Sequence, residues 1–122
     1  MPAILDHHLE TAEELAELHS QYAFDEDEGL IAQGLGEYPK LFALLQDAVE
    51  PLKSAFGRTV RLKLTAIESP EEEVLLCVKV HPARSVVNRS DRMSEFREAW
   101  WRYNLHRSEA ALCFDYERAD GI

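Results

Sequence analysis

The apolar residues of this chain change period once, near Gly57, and that change restricts the fold more than any other feature. Before it they recur every three or four residues, as on a helix face. After it they alternate, as on a strand half-buried in a sheet. Leu41, Leu44, Leu45, Ala48, Leu52 and Phe56 give residues 39–56 a broad apolar helical face. From Thr59 to Ile67, Val60, Leu62, Leu64 and Ala66 point one way and Arg61, Lys63 and Thr65 the other.

The remaining segments fall in around this switch. Residues 6–23 read as a helix with a thin stripe of Leu9, Ala12, Leu15 or Ala16, and Tyr22. Asp25-Glu26-Asp27-Glu28 is a solvated acidic run, and Gly29 to Gly36 makes one or two helical turns that its glycines end. Pro39 suits a first helical turn, Gly57 caps the second helix, and Pro51 is expected to kink or interrupt its last turns. Val74–Val80 is a second strand, joined to the first through the charged turn at Glu68–Glu73. Asn88, Ser90 or Asp91 caps a third helix that runs to about Leu105, and Ala111–Glu117 is a last strand. The order is helix, helix, strand, strand, helix, strand. It predicts one α+β domain over residues 1–122, with an acidic helical segment (1–36) ahead of an α-β-β-α-β core (37–122). Its sheet is three-stranded and mainly antiparallel, covered by helices on one face. Val60, Leu62, Leu64, Leu76, Val78, Leu112 and Phe114 form the inner face. Arg61, Lys63, Thr65, Leu75, Cys77, Lys79, Cys113 and Asp115 form the outer one, which is either solvated or the seam of a homodimer.

Charge is divided as sharply as period. Residues 1–56 hold twelve acidic and two basic side chains, whereas residues 57–122 hold eleven of each. The chain's net charge of −10 therefore resides in its first half. A sequence pI near 4.9 argues against a nucleic-acid ligand, because phosphate contacts need an excess of Lys and Arg. No apolar run is long enough to span a bilayer. The first residues carry no basic region followed by a hydrophobic signal core, so a reducing cytoplasm is expected, with Cys77 and Cys113 as free thiols.

Trp100-Trp101 is the most pointed local feature. On a helix turning about 100° per residue, Met93, Phe96, Trp100 and Tyr103 share a stripe and Trp101 lies off it. Trp101 then either packs under the N-terminal helices or anchors a partner, as tryptophan does at interface hot spots. Arg84, Arg89 and Arg92 head a cluster of six arginines around this helix that could take an anion, or could neutralise nearby carboxylates within the chain. His7, His8 and His19 lack the spacing of a metal site, and neither a metal nor another cofactor is expected. No phosphate-binding loop and no nucleophile elbow is present.

From Tyr38 to Glu117 the chain resembles a small bacterial α+β family of no established function. The resemblance rests on the helix opening Tyr38-Pro39-Lys40-Leu41-Phe42, a two-strand hairpin, and the helix holding Phe96-Arg97-Glu98-Ala99-Trp100-Trp101. A closing strand, Ala111-Leu112-Cys113-Phe114-Asp115-Tyr116-Glu117, completes it. It implies the fold and no catalytic residue. Together these features point to a non-catalytic binding or regulatory protein of the bacterial cytoplasm, of the antitoxin, immunity or accessory-subunit kind. Its basic protein partner would meet Trp101 and the acidic residues Glu13, Glu17, Asp25, Glu26, Asp27 and Glu28. Two alternatives stand beside it. One is a small enzyme using Pro2, whose amine is the general base in the tautomerase superfamily that Met1-Pro2-Ala3-Ile4-Leu5 superficially resembles, or a pocket of His81, Arg84 and His106. The other is an acidic mimic of nucleic acid.

Overall fold

Helix gives way to sheet at Gly57 in the computed structural model of the chain, which describes residues 13, 15–24, 28–71 and 73–117. A helical stretch at residues 15–19 (α1) leads to a two-residue strand, Ala23–Phe24 (β1), then Glu28–Glu37 (α2) and Lys40–Phe56 (α3). Arg61–Glu68 (β2) and Val74–His81 (β3) follow. Arg89–Phe96 (α4) continues through a π-helical turn, Arg97–Trp101, into Arg102–Asn104 (α5) and a 3₁₀ turn, Leu105–Ser108. Leu112–Tyr116 (β4) closes the chain of elements. No described helix is long and apolar enough to cross a membrane.

The class is α+β, but the sheet is four-stranded and mixed rather than three-stranded and mainly antiparallel. Its order is β1-β2-β3-β4. Only β2 and β3 are antiparallel, with Leu64 opposite Val78. β1 runs parallel to β2, and β4 parallel to β3. The parallel pairings follow from connectivity. α2 and α3 intervene between β1 and β2, and α4 between β3 and β4, so each incoming strand arrives from the same end as its neighbour. Two residues are too few to show alternation, which is why no strand is read at Ala23–Phe24 and the helix of residues 6–23 runs into it.

The alternation elsewhere is obeyed. Leu62, Leu64, Leu76, Val78, Val80, Leu112 and Phe114 are buried beneath the helices, while Lys79 and Asp115 stand exposed on the other face. α3 buries Leu41, Leu44, Leu45, Ala48, Leu52 and Phe56, the face its spacing predicts. The helix continues through Pro51 to Phe56. The carbonyl four residues earlier, which loses its donor, belongs to the exposed Asp47, where water can replace the missing bond. Gly57 ends the helix at φ 102°, donating its N–H to Lys53 O at 2.8 Å. Asn88 stands at the N-terminus of α4 in a left-handed conformation, and its side chain makes no capping bond.

The described part of the acidic front packs into the core. α2 runs unbroken through all three of its glycines, because Gly34 faces the sheet. A methyl there would stand 3.1 Å from both Leu76 Cδ2 and Val74 Cγ1, so the missing Cβ lets the helix approach β3. Ile31 and Leu35 are buried beside it. The α1 helix ends by Ser20 rather than at residue 23; residues 6–12 of the expected helix lie outside the described ones. Leu18 and Tyr22 nevertheless reach full burial, and the Tyr22 hydroxyl donates to Leu45 O at 2.6 Å.

That buried phenol gives the fold an alkaline limit. Desolvation pushes the Tyr22 pKa far above its ordinary value. The folded state keeps the proton that the unfolded state releases near pH 10. The contribution is therefore complete below about pH 10 and lost as pH rises above it, by about 1.4 kcal/mol per pH unit. Denaturant titrations between pH 9 and about pH 11 should show this slope in the wild type and a shallower one in Tyr22→Phe. Equal slopes would place Tyr22 in contact with water.

Candidate functional site

The α4 helix lies against the sheet through Met93 and Phe96, both almost wholly buried. Beyond Phe96 the backbone takes a π turn, in which the Arg102 N–H reaches back five residues to Arg97 O. A wider turn holds more residues, so consecutive side chains diverge less than on an α-helix. Trp100 and Trp101 consequently leave the helix on the same side. Their rings stack with centroids 6.1 Å apart and planes 20° apart. Trp101 meets Phe114 of β4 edge-on at 4.7 Å, and Trp100 lies 5.6 Å from Phe96. Neither indole is isolated: Trp101 packs on the sheet rather than standing off the stripe, and both are half-buried.

Trp100 has an open side. A cleft of about 300 Å³ runs between α3 and α4, lined by Pro51, Ser54 and Ala55 on one helix and Phe96, Ala99 and Trp100 on the other. Glu95 is its one titratable lining residue. The cleft exists because the facing positions are small. Ser54, Ala55 and Ala99 cannot fill the space that Phe96 and Trp100 hold open between the helices. The sequence signal was the set of small residues at helical spacing opposite an aromatic pair. Stripe counting missed it because Trp100 shares a stripe with Met93 and Phe96, which are buried, whereas Trp100 is half-buried.

The arginines work mostly within the chain. Arg89 is buried and donates Nη1 to Glu117 O at 2.9 Å, Nη2 to Ala83 O at 3.1 Å and Nε to Val86 O at 3.3 Å. Arg92 donates to Val87 O and Ala55 O, both at 3.0 Å. Arg84 is exposed on the loop after β3. Of the anion-site residues Arg84, Arg89 and Arg92, two thus have their guanidinium groups engaged by carbonyls that tie loop 82–88 to its surroundings. Arg107 bridges to Asp47 of α3 at 2.8 Å, as charge balance within one chain predicts.

The acidic residues named from sequence are partly engaged as well. Glu28 lies 2.8 Å from His19 Nε2, and Glu17 accepts from Gln46 Nε2 at 2.6 Å. Glu13 is exposed. Asp25, Glu26 and Asp27 lie outside the described residues, as does Pro2. The other enzyme constellation does not converge. His81 ends β3, where it contacts Glu117 at 3.1 Å. His106 is in the 3₁₀ turn before β4, which runs parallel to β3 and starts beside Leu76. The two imidazoles therefore sit at opposite ends of the sheet.

A second hollow, about 410 Å³, opens at the β1 edge among Phe24, Arg61, Lys63 and His81. It is basic in an acidic chain, and its His81 is paired with Glu117. His81 holds the Glu117 carboxyl below the usual carboxylate range by a hydrogen bond, and the charges of His81, Arg89 and Arg61 add to the effect. Comparison with protein-family models, with curated proteins and with solved structures finds no match to this chain.

Proposed function

We propose that this chain is a non-catalytic binding protein of the bacterial cytoplasm that receives an apolar side chain or short segment of a basic protein partner in the α3–α4 cleft. The observation that carries the reading is the open, largely apolar cleft beside Trp100, whose ring is backed by Trp101 and Phe96. Apolar hollows with aromatic floors seat partner anchors well. The site holds one carboxylate, Glu95, and no second titratable group to share a proton-transfer step. Asp47 and Glu50 of α3 are paired with Arg107 and Arg58, so the attraction for a basic surface comes from the chain's net charge of −10. An antitoxin, an immunity protein and an accessory subunit all share this chemistry. The outer sheet face suits a second copy less well, because the row of Lys63, Lys79 and Asp115 crosses its middle.

Ala99→Arg tests the reading. Residue 99 is exposed, so the arginine fills the cleft without entering the core. The proteins retained from host lysate by immobilised wild type and variant are compared at low and high salt. A basic protein held by the wild type should be held at least tenfold less by the variant, about 1.4 kcal/mol, and should be released as salt screens the charge. Retention of the same proteins by both forms removes the cleft from the interaction.

A further inference from the structure

The outer face of the sheet carries a feature that the cleft does not use. Cys77 on β3 and Cys113 on β4 are direct partners in the parallel register. Both point away from the helices, since their neighbours Leu76, Val78, Leu112 and Phe114 form the inner face. Cys77 is 7% exposed and Cys113 is half-buried. We propose that Cys77 and Cys113 form a dithiol site that a low-molecular-weight disulfide oxidises to a reversible cross-strand disulfide.

Three observations support the assignment. The first is reach. Neighbouring strands lie about 4.8 Å apart, within the Cα separations of roughly 4.4–6.8 Å that disulfides span. The second is a difference in access. The more open Cys113 can meet a reagent, while the buried Cys77 can reach little besides Cys113. The third is electrostatic. The contact between the two thiols holds the Cys113 pKa below its ordinary value, against burial and the nearby Asp115 carboxylate and with Lys79 assisting. The same contact and burial push Cys77 up.

The chemistry then runs in two exchanges. The Cys113 thiolate attacks one sulfur of the reagent RSSR. The S–S bond breaks, and one RS⁻ leaves with the bonding pair and takes up a proton. Cys77 loses its proton to solvent and attacks the Cys113 sulfur of the mixed disulfide, expelling the second RS⁻, which is protonated in turn. The two cysteines give up two electrons and two protons, and RSSR becomes two RSH. The reverse exchange with a free thiol reopens the bond and restores both cysteines.

The test exposes the full chain to oxidised glutathione at neutral pH and follows it by intact mass and peptide mapping. The wild type should lose both thiols, retain no glutathione, and yield a Cys77–Cys113 cross-linked peptide that mild reductant opens. Cys77→Ser should stop at a glutathione adduct on Cys113. Cys113→Ser should react about tenfold more slowly, because its remaining thiol is buried and little ionised. A wild-type product that keeps glutathione, or one linked only between molecules, overturns the proposal. So does a Cys113→Ser variant that reacts as fast as Cys77→Ser. The wild-type arm decides even if a variant does not fold.

Discussion

Phe96→Ala is expected to remove about 3–5 kcal/mol of stability, the range for truncating a buried phenylalanine. Phe96 is 1% exposed and sits between two aromatic neighbours. Its ring lies 5.0 Å from Phe114 in an edge arrangement and 5.6 Å from Trp100. Losing it opens a cavity that the two indoles and β4 cannot close without leaving their own contacts. Equilibrium urea denaturation measures the loss directly. Phe96→Leu should recover more than half of it, because shape-compatible apolar replacement costs less than a void. A cost below about 2 kcal/mol for Phe96→Ala would mean that the π turn relaxes into the space, and the cleft would then be a soft feature rather than a formed one.

Arg89→Ala is expected to cost about 3 kcal/mol, although no carboxylate is hydrogen-bonded to it. Its guanidinium serves the carbonyls of Ala83, Val86 and Glu117, and a buried acceptor left without a donor costs about 1–3 kcal/mol. The sum falls short of three full penalties because Ala83 O also accepts the Val86 N–H and water can enter beside Glu117. Arg89→Lys should recover less than half, since a lysine cannot fork to three acceptors. Arg84→Ala serves as the control and should stay within about 0.5 kcal/mol. Equal effects at residues 84 and 89 would contradict a structural role for Arg89 alone.

These two residues also show what the sequence could and could not disclose. Alternation at 61–68 and 74–81 and helical spacing at 40–56 are repeated signals. Each reports burial several times over, so the core faces were legible. Phe96 was placed correctly for the same reason. Arg89 was not, because an arginine that binds backbone carbonyls leaves no periodic trace. Trp101 was misplaced because the 100° rule assumes an α-helix, and the extra width at Arg97–Trp101 has no composition of its own. Gly34 was taken for a helix end, although its real function, close approach to Leu76, depends on a neighbour forty-two positions away. The two thiols were legible as free but not as adjacent, since alternation along a strand reports its buried face and not which strand lies beside it.

The pairing scheme of the sheet also governs the order in which it can be assembled. Among the described residues, β2 and β3 are the only neighbouring strands joined directly by a turn, so their ladder can close within microseconds of collapse, as hairpins do. β1 and β4 each pair with a strand from which whole helices separate them, and such distant pairings close late because the chain entropy falls before any bond is made. The central ladder is therefore the early nucleus and the two outer strands are the late arrivals. In the interval β3 offers an open rim of Leu76, Cys77 and Val78 to any other extended chain, and this is where a crowded nascent population is most exposed to mispairing.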